Sequence, residues 1–536
     1  MSNNQQILLD LAAGIHEIAK MVQLTMGPKG KNVIIERRHG QPMITKDGVT
    51  VAKCMKFSNS KKAAGAVICQ NIATEIEQKV GDGTSTGILL LDRFIQLGIQ
   101  RIIAGYNAVG INRGLNIALA DGLQELSQMI EKVEEQRMLV NVAAISAKDP
   151  DIGSMIAECV EKVGLDVQIA VRSSRRQNSY VEFLEGMELE VGHISPEFIG
   201  MEPNGCTELD QTFVFLHDGR VDDVQAVEKL LYLCQENQRG LLMIVGDLSP
   251  AVFQLLLKVK QQGKIALAVV QAPEFALARL DRLLDIAAYT DGQVFGDMTG
   301  LMTGQLSSEK LGKADKVTVR DGITILVASE NGSEKILKQK QSIKQLLLEN
   351  QNDLEVKRLK QRLASLNGTV AVIYVGGSTA AEMKERKYRV EDAVFAATEA
   401  KKSGVIPGGG QGLWRIAKRL EEKQHQRELS EDEWCGYQIF IAALKEPLQQ
   451  IMKNARQNFA LFVSMLQNDD HWQGFSILTG EAQNLLKSGV YDPYSVVSTA
   501  LQSAVSGATM VLSCQEFIPE PVKPFDYHNL EGWDLK

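Results

Sequence analysis

Val80-Gly81-Asp82-Gly83-Thr84-Ser85-Thr86-Gly87 sets one carboxylate between two glycines, adds three hydroxyls and runs into Ile88-Leu89-Leu90-Leu91. The order reads as a tight turn feeding the first turn of a helix. Glycines let a backbone come close to a ligand, and free N–H groups at a helix start attract anions. Hydroxyls can donate to phosphate oxygens, whereas a carboxylate beside phosphate needs a cation between them. Asp82 therefore reads as a Mg²⁺ ligand that shares the metal with the phosphates of a nucleotide. The alternative is an ordinary capped helix start with Asp82 or Thr84 as N-cap, and the local pattern alone favours it.

Other chemistry-bearing residues lie far from this stretch. Thr25-Met26-Gly27-Pro28-Lys29-Gly30-Lys31-Asn32 is a Gly/Pro loop before the strand Val33-Ile34-Ile35. Its Gly-Lys pair does not make a phosphate-binding P-loop, because Asn32 stands where Ser or Thr is required and a strand follows where a helix should. Lys46-Asp47-Gly48 places a carboxylate at the end of the strand Met43-Ile44-Thr45. Asp392 sits in a helix over 380–402, and Gly408-Gly409-Gly410 opens another. The seven cysteines (54, 69, 159, 206, 234, 435 and 514) are scattered and lack metal-ligand spacing, which fits reduced thiols in a cytoplasmic compartment.

The elements that must position these residues follow from length and periodicity. A chain of 536 residues exceeds one core, and two to four domains are expected. With 44% hydrophobic and 23% charged residues it reads as a soluble globular protein. The net charge of −8, without a basic stripe, argues against a nucleic-acid partner. No secretory signal opens the sequence, and no apolar run approaches the ~20 residues of a membrane span. Ile7, Leu8, Leu11, Ile15, Ile18 and Val22 predict an amphipathic helix over 7–24. Helices are predicted over 62–79, from the Asp82 turn to about 103, over 114–133, and over 138–165 with a break at Asp149-Pro150. From 167 to about 327 short β-rich runs alternate with helices at 222–236, 250–262 and 276–288, the pattern of an α/β domain with a mixed or parallel sheet. Residues 333–366 predict a helical hairpin, 370–375 a strand, and the remainder to Cys514 is mostly helical.

Five separated stretches together resemble one family. Leu24-Thr25-Met26-Gly27-Pro28-Lys29-Gly30, Thr45-Lys46-Asp47-Gly48-Val49, Gly81-Asp82-Gly83-Thr84-Ser85-Thr86, Val390-Glu391-Asp392-Ala393 and Gly408-Gly409-Gly410 resemble, in order, the ATP-site motifs of group I chaperonins. The similarity runs along nearly the whole chain. It implies a multidomain, mostly helical protein with an α/β insertion: an equatorial ATPase domain (1–128 and 403–536), an intermediate hinge domain (129–184 and 371–402) and an apical substrate-binding domain (185–370). It also implies homo-oligomeric rings of seven, ATP and Mg²⁺ as cofactors with K⁺ as a further ion, and non-native polypeptides as substrates. Carried over residue by residue, Thr25, Met26, Gly27, Pro28 and Lys46 would contact phosphates and associated ions. Asp82 would bind Mg²⁺, with Gly83, Thr84, Ser85 and Thr86 cradling phosphate. Gly409, Asp492, Ser476, Ile477 and Leu478 would line the base and ribose. Asp392 and Asp47 would orient the attacking water.

Departures from the family's pattern qualify this. The apical positions that normally capture apolar segments are His193, Glu197, Phe198, Glu228, Leu231, Phe253, Leu257 and Lys258, and several of these are polar or chargeable. Capture scales with apolar area, so binding should be weaker or more selective, and a standard lid-like co-chaperonin is put in doubt. Ser476-Ile477-Leu478 replaces a shorter polar-then-small base pocket. Val191 and Ala380 occupy positions of a pair between subunits, and Gln449 and Asn458 those of an ion pair between rings. The sequence closes on Glu531-Gly532-Trp533-Asp534-Leu535-Lys536 without a Gly/Met-rich tail. The resemblance is to a divergent member that binds and folds non-native protein with ATP, or alternatively to a selective holdase with weak ATPase.

Overall fold

The computed structural model describes residues 3–36, 42–147, 149–163, 169–174, 176–199, 206–320, 322–328, 333–350, 352–366, 368–424, 427–460, 462 and 470–518. They form two compact units. Unit 1 joins 1–158, 173–178 and 375–536, and unit 2 joins 159–172 and 179–374.

The chain enters unit 1 through α1 (Asn3–Val22), whose apolar stripe is buried at Ile7, Leu11, Ile15, Ile18 and Val22. The hairpin β1 (Val33–Ile35) and β2 (Met43–Thr45) follows, with Ile34 opposite Ile44. Next come α2 (Gly48–Cys54), α3 (Ser60–Val80), α4 (Thr84–Ile103) and α5 (Ala108–Ser127). α1 and α3 cross closely because both present glycine: a Cβ on Gly14 would lie 2.0 Å from the Lys62 carbonyl oxygen, and one on Gly65 2.0 Å from that of Leu11. α6 (Gln136–Ala147) and α7 (Pro150–Val163) are separated where the sequence predicted. Asp149 Oδ1 accepts from the amides of Asp151 (3.1 Å) and Ile152 (3.3 Å), and Pro150 begins the helix without needing a partner for an N–H.

In unit 2, β3 (Ile169–Ser173) and β4 (Tyr180–Glu185) flank a later strand, and β5 (Met187–Leu189) leads to the long β6 (Thr207–Val221). Then α8 (Val224–Glu236), β7 (Gly240–Leu248), α9 (Pro250–Gln262), β8 (Leu267–Gln271), α10 (Ala276–Thr290) and β9 (Val294–Phe295) alternate. The expected mixed sheet is present. β6, β7, β8 and β9 run parallel, while β10 (Gly312–Arg320) pairs antiparallel with β6, β11 (Ile323–Ala328) antiparallel with β10, and β5 antiparallel with β11. Strands buried on both faces, such as Leu241-Leu242-Met243-Ile244-Val245, read as continuous apolar runs for that reason. α11 (Ser333–Glu349) and α12 (Asp353–Ser365) form the hairpin, and β12 (Thr369–Val375) closes the small sheet between β3 and β4.

The chain returns to unit 1 in α13 (Ala380–Ser403), which packs on α6. β13 (Val405–Pro407), α14 (Gln411–Lys423), α15 (Glu431–Leu444) and α16 (Glu446–Asn454) follow. The C-terminal part is less helical than expected. β14 (Gln473–Phe475) pairs with β15 (Ala482–Asn484), and β16 (Tyr491–Pro493) pairs with β13, with Gly480 and Gly489 at positive φ in the turns between. The last helix, α17 (Tyr494–Leu512), corrects another expectation. By length and composition it is apolar enough to cross a membrane, yet Ala500, Leu501, Ala504, Val505 and Ala508 are fully buried in the core shared with α1, α3 and α4.

Candidate functional site: a carboxylate cluster at a helix start

The Asp82 turn is built by its glycines. Gly81 ends α3 at φ 72°, its amide donating to the Glu77 carbonyl (2.9 Å), and Gly83 starts α4 at φ 85°. Both lie in the left-handed region that other residues enter only with strain. Neither Asp82 nor Thr84 caps the helix. Gly83 is the N-cap and brings no side chain to the first turn of α4, whose amides can serve an anion. Asp82 instead accepts from the Gly83 amide (2.6 Å), and the Ser146 hydroxyl stands 3.5 Å from its other oxygen. The hydroxyls of Ser85 and Thr86 are half-buried, and Thr84 is buried.

A second helix start faces the first. A Cβ on Gly48, at the start of α2, would sit 2.4 Å from Ser85 Oγ. Here the cap is a side chain: Asp47 accepts from the amides of Val49 (3.2 Å) and Thr50 (2.8 Å), while the Thr45 hydroxyl oxygen accepts from the Asp47 amide (3.0 Å). Asp47 is thereby held in one orientation beside half-buried Lys46.

Asp392 enters from α13, three residues before Phe395, whose ring covers the Cα of Gly81 closely enough that a Cβ there would lie 2.4 Å from Cγ. Burial pushes its carboxyl up to about 9, and the negative charges of Asp82 and Asp47 contribute next. Asp492 is pushed up to about 7, by burial first and then by Asp82, although the Gly409 amide donates to its carboxylate (2.9 Å) and pulls the other way. Four carboxyl groups from separate stretches of chain thus share one field. Among the described residues no set of three or more acidic, His or Cys side chains has metal-binding geometry. A divalent ion here would be held by a carboxylate and by phosphate oxygens, and the neighbouring negative charge that adds to burial in raising Asp392 and Asp492 is what a cation relieves.

The remaining sequence-derived positions divide. Thr25 is buried with its hydroxyl donating to the Val22 carbonyl (2.8 Å), so its side-chain proton is already engaged. Met26 is buried in a cluster with Leu89, Leu448, Ile451, Phe475 and Ile477. Gly27 takes φ 79° against Ile451, Pro28 is exposed, and Asn454 ties the loop by donating to the carbonyls of Gln23 (2.8 Å) and Met26 (3.0 Å). Ser476 and Ile477 face inward, and only Leu478 of the three is exposed. Sequence reading missed Asn454, Ser146 and Gln411. The Gln411 side chain bonds both the carbonyl (3.1 Å) and the amide (2.9 Å) of Phe475 and so fixes the Ser476 turn to the glycine turn. No local signal marks these residues, since each acts across more than 60 residues of chain.

The family model described as the TCP-1/cpn60 chaperonin family matches residues 18–521. The chain belongs to that family. Among solved structures it is similar to the chaperonin gp146 from the bacteriophage EL 2 (Pseudomonas aeruginosa), determined in the presence of ATP-BeFx. One crystal form gives a TM-score of 0.70 at 22% identity, covering 97% of this chain and 98% of that one. A second form gives 0.62 at 22% identity, covering 95% and 97%. These likenesses establish the fold, a helical body with an α/β insertion.

In this chaperonin the expected client-binding positions all lie in unit 2. Phe198 is fully buried, set edge-on against Phe253 (5.2 Å between ring centres), and Leu231 is buried beside it in the same core. Phe253 and Leu257 are half-buried, while Glu197, Glu228 and Lys258 are exposed. His193 contacts the Thr207 hydroxyl (3.1 Å), and burial, followed by the Lys260 charge, pushes its imidazole down to about 4. An apolar line of Phe198, Leu231, Phe253 and Leu257 is therefore half withdrawn into the core.

Proposed function

We propose that this protein is a cytoplasmic ATP-dependent chaperonin that binds non-native polypeptides and promotes their folding within a seven-membered homo-oligomeric ring. What supports the reading is the convergence of Asp47, Asp82 and Asp392 on the uncapped start of α4. Phosphoryl transfer to water needs charge neutralisation and a positioned nucleophile more than covalent chemistry from the protein. The α4 amides and the hydroxyls of Thr84, Ser85 and Thr86 would bind phosphate oxygens. Asp82 would hold Mg²⁺, which when bound neutralises phosphate charge, and K⁺ would serve beside the Gly27–Pro28 loop and Lys46. Asp392, with Asp47, would orient the attacking water, and would take up its proton only once a bound cation keeps the carboxyl ionised. Gly409, Asp492 and Leu478 would meet ribose and base. We assign 1–128 and 403–536 to the equatorial domain, 129–184 and 371–402 to the hinge and 185–370 to the apical domain.

The test separates binding from hydrolysis. Asp392→Ala should bind ATP with Mg²⁺ as the wild type does while turnover falls by at least ~10²-fold, the usual scale for losing a positioned proton acceptor. Wild-type turnover in that variant would sink the assignment. A second reading, a selective holdase that cycles ATP poorly, is favoured by one observation: Phe198 and Leu231 are buried while Glu197, Glu228 and Lys258 are exposed. Under it, client capture would proceed without nucleotide and ATP would change it little.

A further inference from the structure

Neighbouring residues of β16 face two different parts of unit 1, because successive side chains of a strand point opposite ways. Asp492 turns to the glycine turn, where its carboxyl oxygen accepts from the Gly409 amide (2.9 Å) and feels the charge of Asp82. Tyr491, only 1% exposed, turns the other way and reaches α6. Its hydroxyl donates to the Met138 carbonyl (3.2 Å) and accepts from Asn141 Nδ2 (3.1 Å). Burial pushes the phenol above its ordinary range, which keeps that proton in place at neutral pH.

The backbone around Tyr491 leaves it little freedom. It pairs with Pro407 of β13, and a Cβ on Gly408 would lie 2.7 Å from its Cα. The Gly408 amide donates to the Val490 carbonyl (3.2 Å). On the side of α6, a Cβ on Gly489, which takes φ 80°, would lie 2.5 Å from Asn141 Nδ2, so the turn into β16 admits the helix only as glycine. A phenyl ring would fill the same space as the tyrosine. The hydroxyl is what packing does not require, and a buried hydroxyl costs stability unless it is bonded.

α6 in turn reaches the carboxylate cluster. Ser146, further along the helix, stands 3.5 Å from Asp82, and α13, which packs on α6, bears Asp392. Other ties hold the ends of this segment. Before α6, Glu131 exchanges main-chain bonds with Val405 of β13 (2.8 Å each way), and Lys401 Nζ donates to the Val133 carbonyl (3.2 Å). At its far end Arg389 Nη1 donates to the Ala147 carbonyl (3.2 Å). Tyr491 holds the helix itself, through Met138 and Asn141, to the strand of Asp492.

We propose that Tyr491 and Asn141 are a positioning pair that carries occupancy of the nucleotide site from Asp492 to α6, and so sets Ser146 at Asp82 and Asp392 at the attacking water. The inference rests on reading the cluster as an ATPase site. With Asp492 engaged by ribose, β16 is held in place, the Tyr491 hydroxyl holds α6 to it, and α13 follows α6 through their packed face. Hydrolysis then depends on the hydroxyl. Nucleotide affinity does not, because the hydroxyl points away from Asp492.

The experiment combines amide hydrogen exchange, calorimetry and steady-state hydrolysis on the full-length protein with Mg²⁺ and ADP or ATP. In the wild type, ADP should slow exchange of the α6 amides. In Tyr491→Phe, which keeps the ring, that slowing should be lost although ADP binds within ~2-fold of wild type, and kcat should fall about 10-fold with KM little changed, the scale of two lost hydrogen bonds. Asn141→Ala should act in the same direction and less strongly. The double variant should be no worse than Tyr491→Phe alone, since both changes cut one connection. Wild-type kcat with an unaltered α6 response in Tyr491→Phe would overturn the proposal. So would a lowered Tm with kcat unchanged, which would make the hydroxyl a core bond and nothing more. A wild type that binds ADP and shows the α6 response, lost in Tyr491→Phe, without hydrolysing ATP would instead overturn the ATPase reading and keep Tyr491 as the link.

Discussion

Asp392→Asn should stabilise the nucleotide-free protein while abolishing most of its hydrolysis. The carboxyl is pushed up from 3.8 to about 9 by burial and by Asp82 and Asp47. Its folded-state value lies above its unfolded value, so between roughly pH 4 and pH 9 the folded chain holds a proton the unfolded chain releases. Stability must then fall as pH rises through that window. From 3.8 to pH 7 is 3.2 pH units, and at about 1.36 kcal/mol per unit this amounts to roughly 4 kcal/mol. That is an upper bound, because the group is half-buried and water lowers the cost of ionising it. We expect about 2 kcal/mol, which for a chain this long is a Tm rise of a few degrees. The amide keeps the shape and cannot ionise. Thermal unfolding of both proteins at pH 5.5 and pH 8.5, without nucleotide, reads the effect: the gap should be larger at pH 8.5. Adding ATP with Mg²⁺ should shrink it, since a cation compensates the wild-type charges. A variant no more stable than the wild type at pH 8.5, or a gap independent of pH, would refute the reasoning. A stabilised variant with turnover down ~10²-fold would show a site that costs stability to keep its chemistry.

Asp82→Ala should weaken binding of ATP with Mg²⁺ itself, measured by calorimetry, and unchanged affinity would place the metal elsewhere. Gly65→Ala brings a Cβ to 2.0 Å from the Leu11 carbonyl oxygen, so α1 and α3 must part; a loss of ~1–3 kcal/mol is expected from overpacking, and Gly304→Ala, with nothing within 4 Å, serves as the control. Phe198→Ser should cost ~3–5 kcal/mol as a core change, whereas Phe253→Ser and Leu257→Ser should release a captured unfolded client with ATPase activity intact; equal Tm losses in all three would assign the line wholly to the core. Gln449 and Asn458 lack the charges of an ion pair between rings, and such a pair gives only ~0–1 kcal/mol but acts in every subunit. Single rings should therefore be populated at micromolar protein in native mass spectrometry with no nucleotide, ADP or ATP, and a double ring persisting on dilution in all three would contradict this.

Much was legible in the sequence because it is encoded over short distances. The stripe of Ile7, Leu11, Ile15, Ile18 and Val22 announces α1, the break at Asp149-Pro150 separates α6 from α7, and the continuous apolar runs at 213–216 and 241–245 mark buried parallel strands. The glycines around Asp82 announce a tight turn at a helix start because only backbone geometry is at stake. What the tertiary structure decided concerns groups brought together from far apart. That Gly83 and no side chain opens α4 depends on where Asp82 turns, toward Ser146 and its own neighbour's amide. The helix α17 passes a composition test for a membrane span, and only the packing of α1, α3 and α4 around it makes it a core helix. Phe198 and Leu231 carry the residue types of a binding face, but burial is a property of what covers a side chain, and here the core covers them. Asp392 shows the same limit in its charge. An isolated helix carboxylate would be ionised at neutral pH, and its value is raised first by burial and then by Asp82 and Asp47, more than 300 residues away along the chain, because what covers a group and the fields it feels are set in space and not along the sequence.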